Sequence, residues 1–232
     1  MEERRLLAVF AHPDDESYRP GGTLALLARR GVRVHLLTAT RGEAGSCGDP
    51  PLCRLDELAA VREQELCCAC TALGIELSLI LGYQDGHLSE ADPEQLITHI
   101  LDMVREVRPQ VILTFGPDGL SGHPDHVAIG RSSAEAFHRA EEVTALYTVA
   151  VPRSVVERLG MPYVQPVPDE AIALKVDVSP VWEAKLAAIR CHATQLSSSP
   201  IMRASVEQQR LFLETEYFVR AALRHPDPDF EF

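Results

Sequence analysis

Apolar runs of strand length alternate with helical stripes through the first half of the 232-residue chain. The strand-like runs cover residues 6–11, 32–40, 75–82 and 110–116. Between them, apolar residues recur with a helical period over 22–30, 55–73 and 96–107. This β-α-β-α-β-α-β order predicts a parallel sheet with right-handed crossovers and helices on both of its faces.

The second half of the chain shows the pattern less clearly. It predicts a helix over 129–140, strands within 145–152 and 172–179, and helices near 180–192 and 203–224. The Pro-rich stretch 152–170 predicts an irregular flap or subunit contact. Since 232 residues are too few for two comfortable domains, we expect one α/β domain over 1–232, a Rossmann-like three-layer sandwich. Its core would cover about 5–145, with C-terminal strands and helices at about 146–224.

Charge and hydropathy argue against two classes of partner. The formal net charge is −12 and the pI about 5.2, whereas nucleic acids and anionic membranes attract clustered Lys and Arg. The apolar stretch Leu6–Ala11 is too short for a signal peptide or a membrane span. The sequence therefore predicts a cytoplasmic protein without a membrane span.

The six cysteines are expected to be reduced thiols, as is usual in the cytosol. Cys67, Cys68 and Cys70 lie on one predicted helix, where they cannot all face one ion. Buried thiols are the favoured interpretation of these three. A disulfide between Cys47 and Cys53 stays open as a minor alternative.

Two motifs rich in His and Asp follow the ends of predicted strands. HPDDE (12–16) comes after the first strand and GHPDH (122–126) after the fourth. In a doubly wound sheet these two strands are neighbours, and ligands bind in the crevice where the strand order switches. The motifs, more than a hundred residues apart, are therefore expected to meet at one site. Each alone could instead be an ordinary helix N-cap.

The residue types suit a catalytic zinc site. His12 and Asp15, three apart, can point the same way, and one imidazole from the second motif would complete three protein ligands with a position left for water. Fe²⁺ or another divalent metal would also suit two histidines and a carboxylate. Asp14 is then available as general base, while the spare histidine and Asp125 could form an oxyanion-stabilising pair. Glu16 receives no role.

AHPDDE followed by GG, and then GHPDH, resemble the LmbE/PIG-L family of zinc-dependent de-N-acetylases. The resemblance covers roughly residues 5–200, with supporting segments at 38–46, 62–75, 81–86 and 185–195. It implies that the metal ligands are His12, Asp15 and His126. It further implies that Asp14 is the general base and that His123, oriented by Asp125, is the acid or oxyanion stabiliser.

Four further residues are candidates for substrate binding. Arg62 lies in an apolar helical stripe, where it could reach a substrate or form an ion pair with Glu65 or Glu43. Glu43 belongs to a loop that could frame the pocket or be a plain turn. Arg19 lies in SYRP (17–20), where this chain departs from common family members, and could shape the pocket mouth. His192 could enter the pocket or be structural.

Tyr83 and Asp85 follow the third strand and could line the cleft, although a turn is favoured. Together these features predict a metal-dependent hydrolase that removes acetyl from an N-acetylglucosamine-type conjugate. The alternatives are a related amidase acting on a thiol or other conjugate, and a non-catalytic, metal-dependent sugar-binding protein. The family resemblance also favours a homo-oligomer.

Overall fold

Seven strands form one sheet in the computed structural model, which describes residues 3–224. The strands are β1 (Arg5–Phe10), β2 (Arg33–Thr40), β3 (Glu76–Tyr83), β4 (Val111–Phe115), β5 (Ala145–Ala150), β6 (Leu174–Asp177) and β7 (Thr215–Leu223). Their order is β3-β2-β1-β4-β5-β7-β6, parallel from β3 to β5, with β7 antiparallel to both β5 and β6. The mostly parallel α/β sheet predicted from the sequence is confirmed.

The helices are α1 (Asp15–Tyr18), α2 (Gly21–Arg29), α3 (Leu58–Leu73), α4 (Pro93–Val107), α5 (Pro124–Arg139), α6 (Arg153–Leu159), α7 (Trp182–Cys191), α8 (Ala193–Leu196) and α9 (Val206–Leu213). They pack in two groups, α4 with α5 and α2 with α3 and α7. Because right-handed crossovers run in opposite directions from the central strand, the two groups cover opposite faces. No helix within residues 3–224 is long and apolar enough to cross a membrane.

The central strand β1 brings the two motifs to one edge of the sheet. It pairs with β2 on one side and β4 on the other, so that Ala8 faces both Leu36 and Leu113. Every residue from Leu6 to Phe10 is 0% exposed, as expected of a strand covered on both faces. The predicted neighbourhood of the first and fourth strands is confirmed, and their carboxyl ends lie side by side.

The prediction of a helix over 203–224 is wrong. The chain forms the short helix α9 and then β7, whose Phe218 pairs with Val149 of β5 and is fully buried. The carboxylate of Glu216, also on β7, accepts hydrogen bonds from the backbone N–H groups of Gly22 and Thr23 at 2.8 and 2.7 Å. These contacts span more than 190 residues, so no local pattern announces them.

The Pro-rich stretch contains the helix α6, and a 3₁₀ turn, Asp169–Ala171, begins at its end. Met161 and Val164, which follow α6, pack with residues of α7 and α9 into a hydrophobic cluster separate from that of the main sheet. This second cluster consists of Val151, Val155, Met161, Val164, Trp182, Leu186, Ile189, Ile201, Phe212 and Leu213.

The expectation of reduced thiols is wrong at Cys68, which forms a disulfide with Cys191. Cys68 lies on α3 and Cys191 ends α7, and these two helices pack against each other. Because the two cysteines are 123 positions apart in the sequence, their spacing does not predict that they form a disulfide. Cys47 and Cys53 are free, as are Cys67 and Cys70; Cys70 is buried as predicted, but Cys67 is exposed.

Candidate active site

The two motifs meet at the carboxyl edge of β1 and β4. His12 follows β1, and His126 lies in the first turn of α5, with its ring stacked on Phe115, the last residue of β4, at 4.0 Å between centroids. His12 Nδ1 and His126 Nε2 are 3.2 Å apart. The carboxylate of Asp15 lies beside both nitrogens. Its Oδ1 is 3.3 Å from His126 Nε2, and its Oδ2 is 3.6 Å from His12 Nδ1. The three side chains predicted as metal ligands therefore converge.

The hydrogen bonds behind the two histidines identify which nitrogens carry protons. His126 Nδ1 is 3.0 Å from the carbonyl oxygen of Gly119, which can only accept. His12 Nε2 faces two carboxylates, Asp85 at 3.0 Å and Asp125 at 3.2 Å. In the neutral rings, the nitrogens that face each other therefore present lone pairs. Two opposed lone pairs beside a carboxylate are a donor set that suits a divalent cation.

The charge around His12 favours a cation. Burial lowers the pKa of His12, but the carboxylates of Asp125, Asp15 and Asp85 outweigh this and raise it to about 12. Burial likewise opposes charge on His126, whereas the neighbouring Asp15 raises its pKa. The same negative charges that hold a proton on these rings would attract a metal ion to their lone pairs.

Asp14 stands beside the three candidate ligands in a strained conformation. Its φ of 117° is rare for a residue with a side chain. Its backbone N–H donates to Glu16 Oε2 at 3.0 Å, and its carboxylate lies 3.4 Å from the guanidinium of Arg62. Burial raises the pKa of Asp14 to about 6; Arg62 opposes this rise and Asp15 adds to it. A carboxylate tuned towards neutral pH suits a general base.

The suggested ion pair of Arg62 with Glu65 or Glu43 is wrong. Arg62 is 3% exposed, and its guanidinium donates to the carbonyl oxygens of Gly42, at 2.8 Å, and Pro13, besides facing Asp14. Gly42 has a φ of 72°, and a Cβ there would lie 2.3 Å from the guanidinium. Arg62 thus ties the loop after β2 to the loop that carries Asp14.

The carboxylate of Asp125 faces His12 and not His123, so the predicted pairing of the two side chains is not found. This carboxylate is fully buried and accepts from the backbone N–H groups of Gly86 and Leu88, at 2.8 and 3.0 Å, as well as facing His12. The contact with His123 is made by the backbone N–H of Asp125, which donates to His123 Nδ1 at 3.2 Å. Nε2 of a neutral His123 therefore carries the proton and can donate it. Burial and the positive charges of His12 and His126 lower the pKa of His123.

Asp85 lies in a turn after β3, as favoured from the sequence, and its side chain also reaches the site. It is 9% exposed; Oδ1 contacts His12, and Oδ2 accepts the N–H of Ala44 at 3.0 Å. Glu43 in turn accepts the N–H of Asp85 at 2.9 Å. The only signal in the sequence was its position just beyond a strand that ends at the same edge of the sheet.

Glu16, to which the sequence assigned no role, is 0% exposed, and its carboxylate accepts the backbone N–H of Asp14. Besides the N–H of Asp14, its carboxylate contacts the hydroxyl of Ser17 and Nε2 of His192, the latter at 2.8 Å. His192 is also 0% exposed. Of the two alternatives for His192, the structure shows the structural one: the ring is buried against Glu16 and does not enter the pocket.

A cavity of about 280 Å³ opens beside Asp14 and His126. Arg19 is one of its lining residues, whereas Arg62 and Glu43 are not part of its wall. The lining residues are Asp14, Tyr18, Arg19, Leu120, Ser121, His126, Met161, Tyr163, Val164, Gln195, Ser198, Ser199, Pro200, Ile201 and Phe212.

A mostly parallel sheet with two histidines and an aspartate converging at its switch point defines the class: an α/β protein with a candidate catalytic metal site. The chain belongs to the PIG-L family, since residues 7–137, more than half of its length, match the family described as GlcNAc-PI de-N-acetylase. The family resemblance found in the sequence is confirmed. A relative from Acidothermus cellulolyticus, 1D-myo-inositol 2-acetamido-2-deoxy-alpha-D-glucopyranoside deacetylase, is 35% identical over 259 residues, covering 93% of this chain and 88% of that protein.

Solved structures share the fold. N,N'-diacetylchitobiose deacetylase from Pyrococcus horikoshii superposes with a TM-score of 0.68 at 22% identity, covering 94% of this chain and 83% of that one. GalB, the 4-carboxy-2-hydroxymuconate hydratase from Pseudomonas putida KT2440, superposes with a TM-score of 0.69 at 21% identity, covering 97% of this chain and 98% of that one. Because a deacetylase and a hydratase share this fold, the reaction has to be argued from the site.

Proposed function

We propose that this protein is a metal-dependent hydrolase that removes the acetyl group from an N-acetylglucosamine-type conjugate. The observation that carries the proposal is the convergence of His12 Nδ1, His126 Nε2 and the Asp15 carboxylate, with Asp14 next to them at the end of a cavity. The relatives named as deacetylases of an inositol-linked amino sugar support the same reaction and substrate class.

His12, Asp15 and His126 are the residues proposed to hold the metal. When bound at such a site, Zn²⁺ lowers the pKa of a water to about 7 and polarises a carbonyl oxygen. Fe²⁺ would suit the same donors, so zinc is the first metal to test rather than the only one. Asp85 and Asp125 fix the tautomer of His12 through its Nε2 proton.

Asp14 is proposed to take a proton from the attacking water. Its carboxylate is held by the strained backbone, by Glu16 on the N–H and by Arg62 on the side chain. His123 presents an N–H that can stabilise the developing oxyanion or protonate the departing amine. In the overall reaction the C–N bond of the amide breaks and a C–O bond to water forms, which gives acetate and a free amine.

The direct test is acetate release from a panel of acetylated amino sugars by the metal-loaded protein. The wild type is compared with Asp14→Asn and with Asp102→Asn, in which the substituted aspartate is exposed on α4. We expect acetate from the wild type and Asp102→Asn, and little from Asp14→Asn. Metal and sugar binding without acetate release would favour the non-catalytic alternative. Release of another acid from a thiol conjugate alone would favour the related amidase.

Three further expectations stay proposals. The partner is a small amino-sugar conjugate rather than a nucleic acid, the address is cytoplasmic, and the chain forms a homo-oligomer. Light scattering of the purified protein would test the last of these: a mass near 25.6 kDa, that of one chain, would contradict it.

A further inference from the structure

The cavity beside the reacting groups has an apolar wall that the proposed chemistry does not use. Five side chains from separate stretches of the chain form it: Leu120, Met161, Val164, Ile201 and Phe212. The last four are between 5% and 9% exposed and belong to the second hydrophobic cluster. The wall is therefore the face of a packed core, in place before a ligand arrives.

Arg19 connects this wall to the loop that carries Asp14. Its guanidinium lies over the ring of Phe212, 4.2 Å from the centroid, and donates to the carbonyl oxygen of Phe212 at 2.7 Å. Arg19 is itself 5% exposed. The position of the apolar wall relative to the reacting groups is thus fixed by direct contacts rather than by a free loop.

The rest of the lining is mixed, since Tyr18, Tyr163 and Pro200 add apolar surface to several polar groups. Ser121, Gln195, Ser198 and Ser199 contribute hydroxyl and amide groups, and Asp14 and His126 lie at the reacting end. A ligand that fits both kinds of surface presents hydroxyl groups to the polar lining and hydrocarbon to the apolar wall. A polyol such as inositol, placed against the apolar wall, would leave hydroxyls without hydrogen-bond partners, which is unfavourable.

We propose that this wall is an apolar subsite, which takes an alkyl or aryl group carried by the amino-sugar substrate. The inference rests on the proposed function, because the subsite and the reacting groups share one cavity. Two positions on the substrate can supply the same chemistry: the aglycone, and an acyl chain longer than acetyl. In both cases, this chain prefers a less polar conjugate than the inositol compounds named for its relatives.

Two substrate series separate these sources. One series is of N-acetylglucosaminides with methyl, butyl and hexyl aglycones, and the other of N-acylglucosamines with acetyl, butanoyl and hexanoyl groups. We expect kcat/KM to rise along one series by about fourfold for each CH₂ that becomes buried, and so by more than tenfold overall. The series that rises identifies the source of the apolar group.

Met161→Gln keeps the length of the side chain and makes the wall polar. We expect it to flatten the rising series, so that the loss in kcat/KM relative to wild type grows with the length of the alkyl group. Leu211→Gln, at a position on α9 that is 39% exposed, is the matched control and should leave the series unchanged.

If both series are flat in the wild type, the subsite is overturned, while acetate release still supports the proposed function. Calorimetric binding of hexyl glucosaminide, the free amine, needs no turnover and tests the subsite independently of catalysis. Tighter binding than of methyl glucosaminide by the wild type, lost in Met161→Gln, supports the subsite and assigns it to the aglycone. Equal binding together with a flat acyl series contradicts the subsite, whereas equal binding together with a rising acyl series assigns it to the acyl chain.

Discussion

The two ends of the cavity are built in different ways. The reacting end consists of loops that follow parallel strands, and its buried side chains are tied to backbone groups of neighbouring loops, as Asp125 is to Gly86 and Leu88. The outer end comes largely from residues 161–212, where apolar side chains pack on one another. The comparison teaches that the ends of the parallel strands position the reacting side chains, whereas the C-terminal part of the chain determines the shape of the cavity beside them.

Loss of a metal ligand should have the largest effect at the reacting end. We expect His126→Ala to lose the metal and at least about 10³-fold in kcat/KM, because it removes one of three ligands. Elemental analysis beside acetate release measures both. His138→Ala, an exposed histidine on the same helix, is the control. Equal metal content in wild type and His126→Ala would contradict the assignment of this ligand.

Asp85→Asn should weaken metal binding by about 10–100-fold, since Asp85 helps to hold the Nε2 proton of His12. Competition with a chelator measures the affinity. The matched Asp102→Asn should bind metal like wild type. An unchanged affinity in Asp85→Asn would show that Asp125 alone fixes the ring.

Glu16→Gln should lower kcat about tenfold while KM and metal content stay near wild type. The amide would set an N–H group against Nε2–H of His192 or against the N–H of Asp14, which disturbs the strained backbone that aims the base. Steady-state kinetics, with the exposed Glu106→Gln as control, tests this. An increase in KM alone would place the effect in substrate binding instead.

The pH profile should be the mildest change near neutrality. A base must be ionised to accept a proton, so kcat/KM should fall about tenfold per pH unit below the pKa of Asp14. Burial raises that pKa to about 6, and a bound cation opposes protonation, so the midpoint of the acid limb should lie at or below this value. A midpoint above 7 that stays in Asp14→Asn would assign the limb to another group.

The sequence predicted the reacting end well because its information is local. Strand-length apolar runs predicted β1 and β4, and the rule for doubly wound sheets placed His12 beside His126. The partners of these residues were not accessible in the same way. The carboxylate of Asp125 contacts His12 and not His123, and the carboxylate of Asp85 contacts the same histidine from another loop. The direction of each of these side chains is determined by the conformation of a turn, which the sequence pattern does not predict.

The outer end was predicted poorly because long-range contacts determine it. The sequence pattern predicted a helix where β7 lies. In the structure, Glu216 of β7 accepts hydrogen bonds from the start of α2, and Phe218 pairs with β5 in the sheet. The disulfide between Cys68 and Cys191 joins two helices that no spacing rule connects. The apolar wall depends on the same tertiary packing, so its chemistry becomes visible only in the folded protein.

The most direct test of the account is to measure metal content and acetate release together in the wild type and Asp14→Asn. We predict that both bind about one metal ion per chain, and that Asp14→Asn releases acetate 10²–10⁴-fold more slowly. That result would separate the proton-transfer role of Asp14 from metal binding by its neighbours. Near-wild-type release from metal-loaded Asp14→Asn would contradict the central claim that this carboxylate is the base.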